Sequence, residues 1–169
     1  DAAGTGGGIT AGGPALSIGN TVVVTAVVPS KLEMALSLGA VAVVDMRDSD
    51  AADKALEGGK FDVSIECSGA TPALKAAVGW TKSGGNFVVV ANQKSTSTEI
   101  PLQDLCRREI TLTGVYRYTN TWPAALNMVA SGKLAVQKLI THRFSLEDTA
   151  KAFETFQAGD AIKVMIGSG

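Results

Sequence analysis

Glycines near the beginning of the sequence are the first residues whose type and spacing suit a chemical role, in the run Asp1-Ala2-Ala3-Gly4-Thr5-Gly6-Gly7-Gly8-Ile9. A glycine turn between a strand and a helix lets the backbone approach a pyrophosphate, and the helix N-terminus favours its negative charge. Gly4 and Gly6 have the spacing of the first two glycines of a GxGxxG motif, but Ile9 stands where the third would be. The pattern predicts a weakened loop for a dinucleotide phosphate, and a flexible glycine-rich tail is the alternative interpretation.

Three further side chains of reactive types stand alone in the sequence. Cys67 and Cys106 form no CxxC pair, and no histidine lies at metal-ligand spacing from either. We expect two buried thiols, because free cysteine is among the most buried residue types. His142 has no cysteine or glutamate partner at ligand spacing and is expected to be structural. The sequence therefore predicts neither a metal site nor a catalytic residue.

Composition restricts the class of partner. The formal net charge is −1, and the charged residues, 18% of the chain, form no lysine or arginine block, so no nucleic-acid partner is expected. No apolar run reaches the roughly 18 residues of a membrane span, and the first residues do not resemble a signal peptide. We expect a cytoplasmic protein with no membrane partner. Its core should be aliphatic, since 46% of the residues are hydrophobic but only 5% are aromatic.

Short β-branched runs alternate with helical stretches along most of the chain. Such alternation is typical of βαβ units, so we predict an α/β fold, a Rossmann-like doubly wound parallel sheet whose first strand and phosphate loop are degenerate. The predicted strands are 21–25, 41–44, 61–67, 86–90 and 109–115, and the predicted helices are 31–38, 48–57, 71–80 and 102–106. In the first helix, Leu32, Ala35, Leu36 and Leu38 are expected to face the core, and Gly39 to end it.

The pattern changes after Pro123, and we divide the chain there into a dinucleotide-binding domain, residues 1–123, and a C-terminal segment, residues 124–169. Around and beyond this boundary we predict helix 123–131, strand 139–144, helix 146–157 and strand 162–166. Ser145 is expected to cap the second of these helices by accepting from its first-turn amides.

Two runs carry a resemblance to a known family, Gly114-Val115-Tyr116-Arg117-Tyr118-Thr119-Asn120-Thr121-Trp122-Pro123 and Thr141-His142-Arg143-Phe144-Ser145-Leu146-Glu147. They resemble the C-terminal half of the zinc-dependent polyol dehydrogenases of the medium-chain family, the sorbitol and xylitol dehydrogenases. The resemblance covers residues 22–166 and is strongest after residue 61. It implies the NAD(P)-binding portion of an enzyme that oxidises a polyol to a ketose by hydride transfer, with NAD or NADP as cofactor.

The resemblance also implies roles for residues at strand ends. The segments that match backbone beside the nicotinamide of the cofactor are Val90-Ala91-Asn92 and Val115-Tyr116-Arg117, and 65–70 matches the turn beside the adenine half. Arg117 and Tyr118 would line the substrate end and hydrogen bond to polyol hydroxyls. A surface cation at a strand end is the alternative for Arg117, and packing is the alternative for Tyr116 and Tyr118.

Positions near the phosphates and the adenosine ribose differ from the family pattern. Ala26 stands where the family has an acidic residue, which would bond the ribose hydroxyls. Alanine at position 26 removes an acceptor for the ribose hydroxyls of NAD. It also removes the repulsion that excludes the extra phosphate of NADP. Lys31 would contact that phosphate or be a solvated helix residue, so the choice of cofactor stays open. Gly8 matches the family's third glycine when it is counted back from the next strand.

The family's catalytic zinc polarises the alcohol oxygen, and its ligands belong to an upstream domain whose motifs the sequence lacks. We therefore expect cofactor binding without turnover. The apolar faces of 139–169, which pack on the catalytic domain in relatives, would add to the sheet, pair with another chain or stay exposed. Alternatives are a non-catalytic nucleotide-binding module, a homo-oligomer that pairs through the edge strand 109–115, and an incompletely determined sequence.

Overall fold

The structure is a computed structural model, and it describes residues 22–50, 52, 61–93, 96–159 and 161–167. The predicted phosphate loop with Gly4, Gly6 and Gly8 lies outside these residues, as does most of the predicted helix 48–57. The described residues alternate between strands and helices, and their hydrogen-bonded strands pair in parallel. This arrangement confirms the predicted α/β class.

The first βαβ unit consists of β1 (Val23–Ala26), α1 (Pro29–Ser37) and β2 (Ala42–Asp45). Pro29 lies in the first turn of α1, where a missing N–H leaves no intrahelical bond unmade. Gly39 follows the helix with a φ of 104°, the left-handed conformation that glycine adopts without steric cost. Both boundaries of this helix agree with the sequence prediction to within two residues.

The prediction for the inner face of α1 is wrong at one residue. Leu32, Ala35 and Leu38 are buried as expected, but Leu36 is 48% exposed. Because successive residues are separated by about 100° around a helix, the residue after Ala35 turns away from the strands that Ala35 covers.

Three further strands form a second parallel sheet in the order β3 (Phe61–Glu66), β4 (Thr81–Val89) and β5 (Thr111–Gly114). Helix α2 (Thr71–Trp80) joins β3 to β4, and α3 (Leu102–Arg107) lies between β4 and β5. Among the described strands β5 pairs with β4 alone, and all four of its residues are exposed. It is therefore an edge strand.

Two boundaries in this sheet differ from the sequence prediction. β4 begins at Thr81 rather than at Asn86, because Thr81 already pairs with Phe61 ahead of a register shift. β5 is shorter than the predicted 109–115. Glu109 has a φ of 53°, a left-handed conformation that an extended strand does not allow.

A cluster around Phe87 forms the core of the second sheet. Phe87 and Val78 have no exposed surface, and Leu74, Leu105 and Ile110 pack with them. The cluster joins β4 to the helices on either side of it in the chain.

A second cluster connects the two sheets. Val44 and Ala52 are buried, and Val23, Phe61 and Trp80 pack against them. Because Val23 belongs to β1 and Phe61 to β3, the first βαβ unit and the three-stranded sheet share apolar contacts.

Buried polar groups at the start of β4 hydrogen bond to one another. The hydroxyls of Thr81 and Ser64 lie 2.8 Å apart, and Thr81 donates to the carbonyl oxygen of Ala77 at 2.8 Å. The guanidinium of Arg108 donates to the carbonyl oxygen of Val78 at 2.9 Å and to that of Thr81. These bonds satisfy carbonyl groups at the end of α2 and connect them to the residue that follows α3.

The rest of the chain contains α4 (Trp122–Ala130), a short 3-10 helix (Val136–Leu139), β6 (Ile140–Phe144), α5 (Thr149–Gln157) and β7 (Lys163–Ile166). β6 and β7 pair in parallel with each other. No helix in the described part of the chain has both the length and the apolar character needed to cross a membrane.

Ser145 does not cap α5 as predicted. Its hydroxyl donates to Asp148 Oδ2 at 3.4 Å. The helix begins at Thr149 and not at position 146, so Ser145 does not directly precede its first turn. Phe153 and Phe156 of α5 are 60% and 62% exposed. β6 and β7 form a separate pair and do not add to the sheet of β3, β4 and β5, so the first of the three arrangements considered for this segment is not the one observed.

Candidate site at the carboxyl ends of three strands

The carboxyl ends of β3, β4 and β5 meet at one edge of the sheet, because the three strands run in parallel. Glu66 lies opposite Val89, and Val89 lies opposite Gly114. The segments 90–92 and 115–117, for which the family resemblance implies a position beside the nicotinamide, directly follow β4 and β5. Open α/β sheets bind their ligands at this edge, so both segments are placed where a ligand site is expected.

Backbone hydrogen bonds hold each segment to the neighbouring strand. The amides of Val90 and Ala91 donate to the carbonyl oxygen of Glu66 at 2.9 and 3.2 Å, and the amide of Val115 donates to the carbonyl oxygen of Val89 at 2.9 Å. Each segment therefore leaves the sheet from a defined position.

The side chain of Glu66 is the most densely hydrogen-bonded group at this edge. It is only 3% exposed, and its carboxylate accepts from the amide and the hydroxyl of Ser68 at 2.6 and 2.5 Å. It also accepts from the amide of Gly69 at 3.0 Å and from Gln93 Nε2 at 3.1 Å. Charge-assisted bonds of this kind are stronger than neutral ones, so the carboxylate fixes the turn after β3 and contacts the loop after β4.

Gly69 is required by the geometry of that turn. Its φ of 70° is left-handed, and a Cβ at this position would lie 2.7 Å from the carbonyl oxygen of Asn92. Real Cβ atoms do not approach an oxygen so closely, so only glycine allows the turn after β3 to touch the segment after β4.

Sequence reasoning did not single out Glu66 or Gln93. A glutamate at the end of an apolar strand, followed by Ser68 and Gly69, is a pattern that predicts a turn with donors available to the carboxylate. Gln93 carries no comparable signal, because its bond to Glu66 spans 27 residues of the chain.

The residues predicted to line the substrate end lie beyond β5 and are exposed. Arg117 has a φ of 58°, which is uncommon for a residue other than glycine, and its guanidinium carbon lies 5.2 Å from the centre of the Tyr116 ring. The Tyr118 ring lies 5.0 Å from that of Trp122. Tyr116 and Tyr118 are 70% and 66% exposed, so neither is packed in the core.

Ala26 and Lys31 belong to the other sheet unit. Ala26 ends β1 and lies opposite Asp45 of β2, and Lys31 is half-buried in the first turn of α1. The carboxylate of Asp45 accepts from the amide and the guanidinium of Arg47, and these hydrogen bonds lower its pKa to about 2. An acidic group is therefore present beside Ala26, but it is already paired with a cation.

Both cysteines are exposed, which corrects the expectation of buried thiols. Cys67 is the first residue after β3, where the chain leaves the core, and Cys106 flanks Leu105, the residue of α3 that faces the core. Partial burial and the neighbouring Glu66 carboxylate raise the pKa of the Cys67 thiol. A raised pKa leaves less of the reactive thiolate at neutral pH.

The described residues contain no group of three or more histidine, cysteine, aspartate or glutamate side chains that could hold a metal ion. His142 Nδ1 lies 3.0 Å from the Thr141 hydroxyl, and its ring stacks on that of Phe144 at 6.4 Å. Zinc binding by three protein ligands therefore has no candidate among these side chains.

The chain belongs to the zinc-binding dehydrogenase family, because the profile of that family matches residues 6–131. It represents the cofactor-binding half of the polyol dehydrogenases in this family. Human sorbitol dehydrogenase is 40% identical over 150 residues, which cover 86% of this chain and 42% of the human protein. The chain thus spans less than half the length of the curated relatives that it matches.

Solved structures agree with this assignment and with the Rossmann-like fold. The 2R,3R-butanediol dehydrogenase of Bacillus subtilis is 25% identical, with a TM-score of 0.79 over 88% of this chain and 44% of the enzyme. A protein of Sinorhizobium meliloti assigned to the zinc-binding dehydrogenases, solved with NADP bound, is 25% identical, with a TM-score of 0.80 over 87% of this chain and 45% of its own.

The turn after β3 provides a test of this geometry. We expect Gly69→Ala to destabilise the fold more than Gly84→Ala, measured as the free energy of unfolding in urea. Both glycines have a left-handed φ, which costs alanine about 1–2 kcal/mol, but only at Gly69 would the new Cβ meet a backbone oxygen. We expect the additional cost to be at least about 1 kcal/mol; equal costs at the two positions would contradict the proposed contact with Asn92.

Proposed function

We propose that this chain binds NAD or NADP at the carboxyl ends of β3, β4 and β5, as the cofactor-binding portion of an enzyme that oxidises a polyol to a ketose. The convergence of two loop segments at these strand ends, held by hydrogen bonds to Glu66 and Val89, is the observation that carries the proposal. Membership of a dehydrogenase family supports it. We place the whole enzyme in the cytoplasm.

The backbone of two segments would hold the nicotinamide half of the cofactor, Val90-Ala91-Asn92 and Val115-Tyr116-Arg117. The strand end and turn at 65–70 would lie beside the adenine half, and Gly4, Gly6 and Gly8 would face the pyrophosphate. The nicotinamide of a bound cofactor would supply the hydride acceptor for the oxidation. The contribution of these residues is to orient the ring and to exclude water from one of its faces.

Arg117 and Tyr118 are proposed to hydrogen bond to polyol hydroxyls in the complete enzyme. Their exposure and their position directly after β5 leave their polar groups available to a substrate. The left-handed φ of Arg117 supports this role, because such backbone conformations are concentrated at functional sites. Residues 124–169 would pack against the domain that carries the zinc ligands.

The cofactor proposal is tested by calorimetric titration of the chain with NADH and NADPH in parallel, without added zinc. We expect saturable binding of at least one of the two, because backbone hydrogen bonds define the strand ends that would face the nicotinamide. Titration of ADP-ribose reports on the adenine half alone. Failure of all three to bind would overturn the proposed function and leave the chain a structural relative only.

The preference between NAD and NADP is expected to depend on Ala26. Ala26→Asp should strengthen NADH binding relative to NADPH by about tenfold or more, because a carboxylate accepts from the ribose hydroxyls and repels the extra phosphate. Asp45 does not replace this carboxylate, since Arg47 occupies its oxygens. Ala42→Asp introduces the same charge at the opposite end of β2 and serves as the control. An unchanged ratio of the two dissociation constants would remove Ala26 from the ribose site.

Association through the edge of β5 is a second candidate role. The strand pairs on one side only within the described sheet, and its Leu112 is 44% exposed, as expected of an edge available to another chain. Sedimentation velocity over a hundredfold range of concentration should then show dimers that Leu112→Lys reduces. A single monomeric species throughout that range would exclude this role.

A further inference from the structure

We propose that Glu66 and Gln93 form a positioning pair, which sets the loop after β4 relative to the turn after β3 and so orients the nicotinamide half of the cofactor. The inference rests on the proposed function. Neither side chain would touch the reacting atoms. Their role is to determine where the backbone of Val90, Ala91 and Asn92 lies when the cofactor is bound.

The Glu66 carboxylate accepts hydrogen bonds from two separate parts of the chain. Oε1 accepts from the amide and hydroxyl of Ser68 and from the amide of Gly69. Oε2 accepts from Gln93 Nε2 at 3.1 Å, and from the amide of Gly69 at 3.2 Å. One rigid group therefore connects the turn assigned to the adenine half with the loop assigned to the nicotinamide half.

The amide of Gln93 is held in one orientation by this contact. Its Nε2 also lies 3.4 Å from the carbonyl oxygen of Ala91, so the side chain folds back over the segment that precedes it. Its Oε1 is buried and has no hydrogen-bond partner in the described part of the chain. A buried unpaired acceptor is costly, so the arrangement requires a compensating interaction, and the bond from Nε2 to the Glu66 carboxylate provides it. An ionised carboxylate has no hydrogen to donate to Oε1, so only Nε2 of this amide can bond to it.

Burial increases the effect of this pair on the position of the loop. Glu66 is 3% exposed, and hydrogen bonds in such surroundings are less screened than those at the surface. Gly69 allows the two loops to touch, since its missing Cβ leaves room for the carbonyl oxygen of Asn92. The backbone contact and the side-chain contact thus join the same two loops.

Exchange of the two functional groups tests the pair. Gln93→Glu places a second carboxylate against that of Glu66, and the repulsion should displace the loop. Glu66→Gln alone should preserve the contact with position 93, because the Gln93 amide can turn and accept through Oε1, although the bonds from Ser68 and Gly69 to position 66 lose their charge assistance. In the double variant Glu66→Gln/Gln93→Glu, the new amide at position 66 can donate to the new carboxylate at position 93, so the contact should be restored.

The readout compares NADH with ADP-ribose, which lacks the nicotinamide. We expect Gln93→Glu to weaken NADH binding about tenfold and ADP-ribose binding less than about twofold, and the double variant to recover NADH binding to within about threefold of the original chain. The fluorescence of bound NADH should fall and recover in the same order. Glu99→Gln, which removes an exposed carboxylate paired with Lys75 at 3.1 Å, should change none of these values.

Unaltered NADH binding in Gln93→Glu would overturn the inference. Gln93→Glu weakening both ligands equally would indicate a general loss of structure, and thermal unfolding of each variant identifies that case. Should that variant unfold, Gln93→Leu, which removes the contact without a new charge, must show the selective loss of NADH binding. Absence of recovery in the double variant would also reject the pair. If the original chain binds neither ligand, the proposed function itself fails. That result is distinct from unaltered NADH binding in the variants, which rejects only the pair.

Discussion

A buried carboxylate needs hydrogen-bond donors, and in this chain Glu66 obtains them from two loops that are distant in sequence. Ser68 and Gly69 supply donors from the turn after β3, and Gln93 supplies one from beyond β4. The carbonyl oxygen of the same residue receives the amides of Val90 and Ala91. The shape of the sheet edge therefore depends on a single residue whose side chain is buried.

The proposed function would explain why such a residue is of use. A protein that leaves hydride chemistry to a nicotinamide and alcohol activation to a metal must contribute orientation. The half represented here contributes backbone segments whose positions are set from within the sheet. The ion pair between Asp45 and Arg47 is neutral overall, so the surroundings of Ala26 present no uncompensated charge from β2 to a ribose or to a phosphate.

Much of the fold could be predicted from local patterns, because those patterns express local physics. β-branched runs identified β1, β2 and β3, and Gly39 and the proline at the start of α1 marked the ends of that helix. The errors occurred at residues whose secondary structure or burial is determined by contacts with distant parts of the chain. β4 starts early because Thr81 pairs with Phe61, and Cys67 is exposed because the chain leaves the core immediately after Glu66.

The site shows the same limit more clearly. The segments after β4 and β5 were identified by resemblance, and strand order places them at one edge. Glu66 has a local signal in the Ser68 and Gly69 that follow it, whereas its bond to Gln93 exists only once two strands are side by side. No short window of sequence contains both partners of that bond.

The sequence separation of 27 between Glu66 and Gln93 also has a consequence for the order of folding. Parallel pairing of β3 with β4 requires the chain between them, which includes α2, to form a long closed loop. Such pairings form late. The bond can form only after that step, so the loop after β4 should become ordered after the core around Phe87. In the native state the same loop should open more often than the core, and amide hydrogen exchange at Ala91 should be faster than at Phe87.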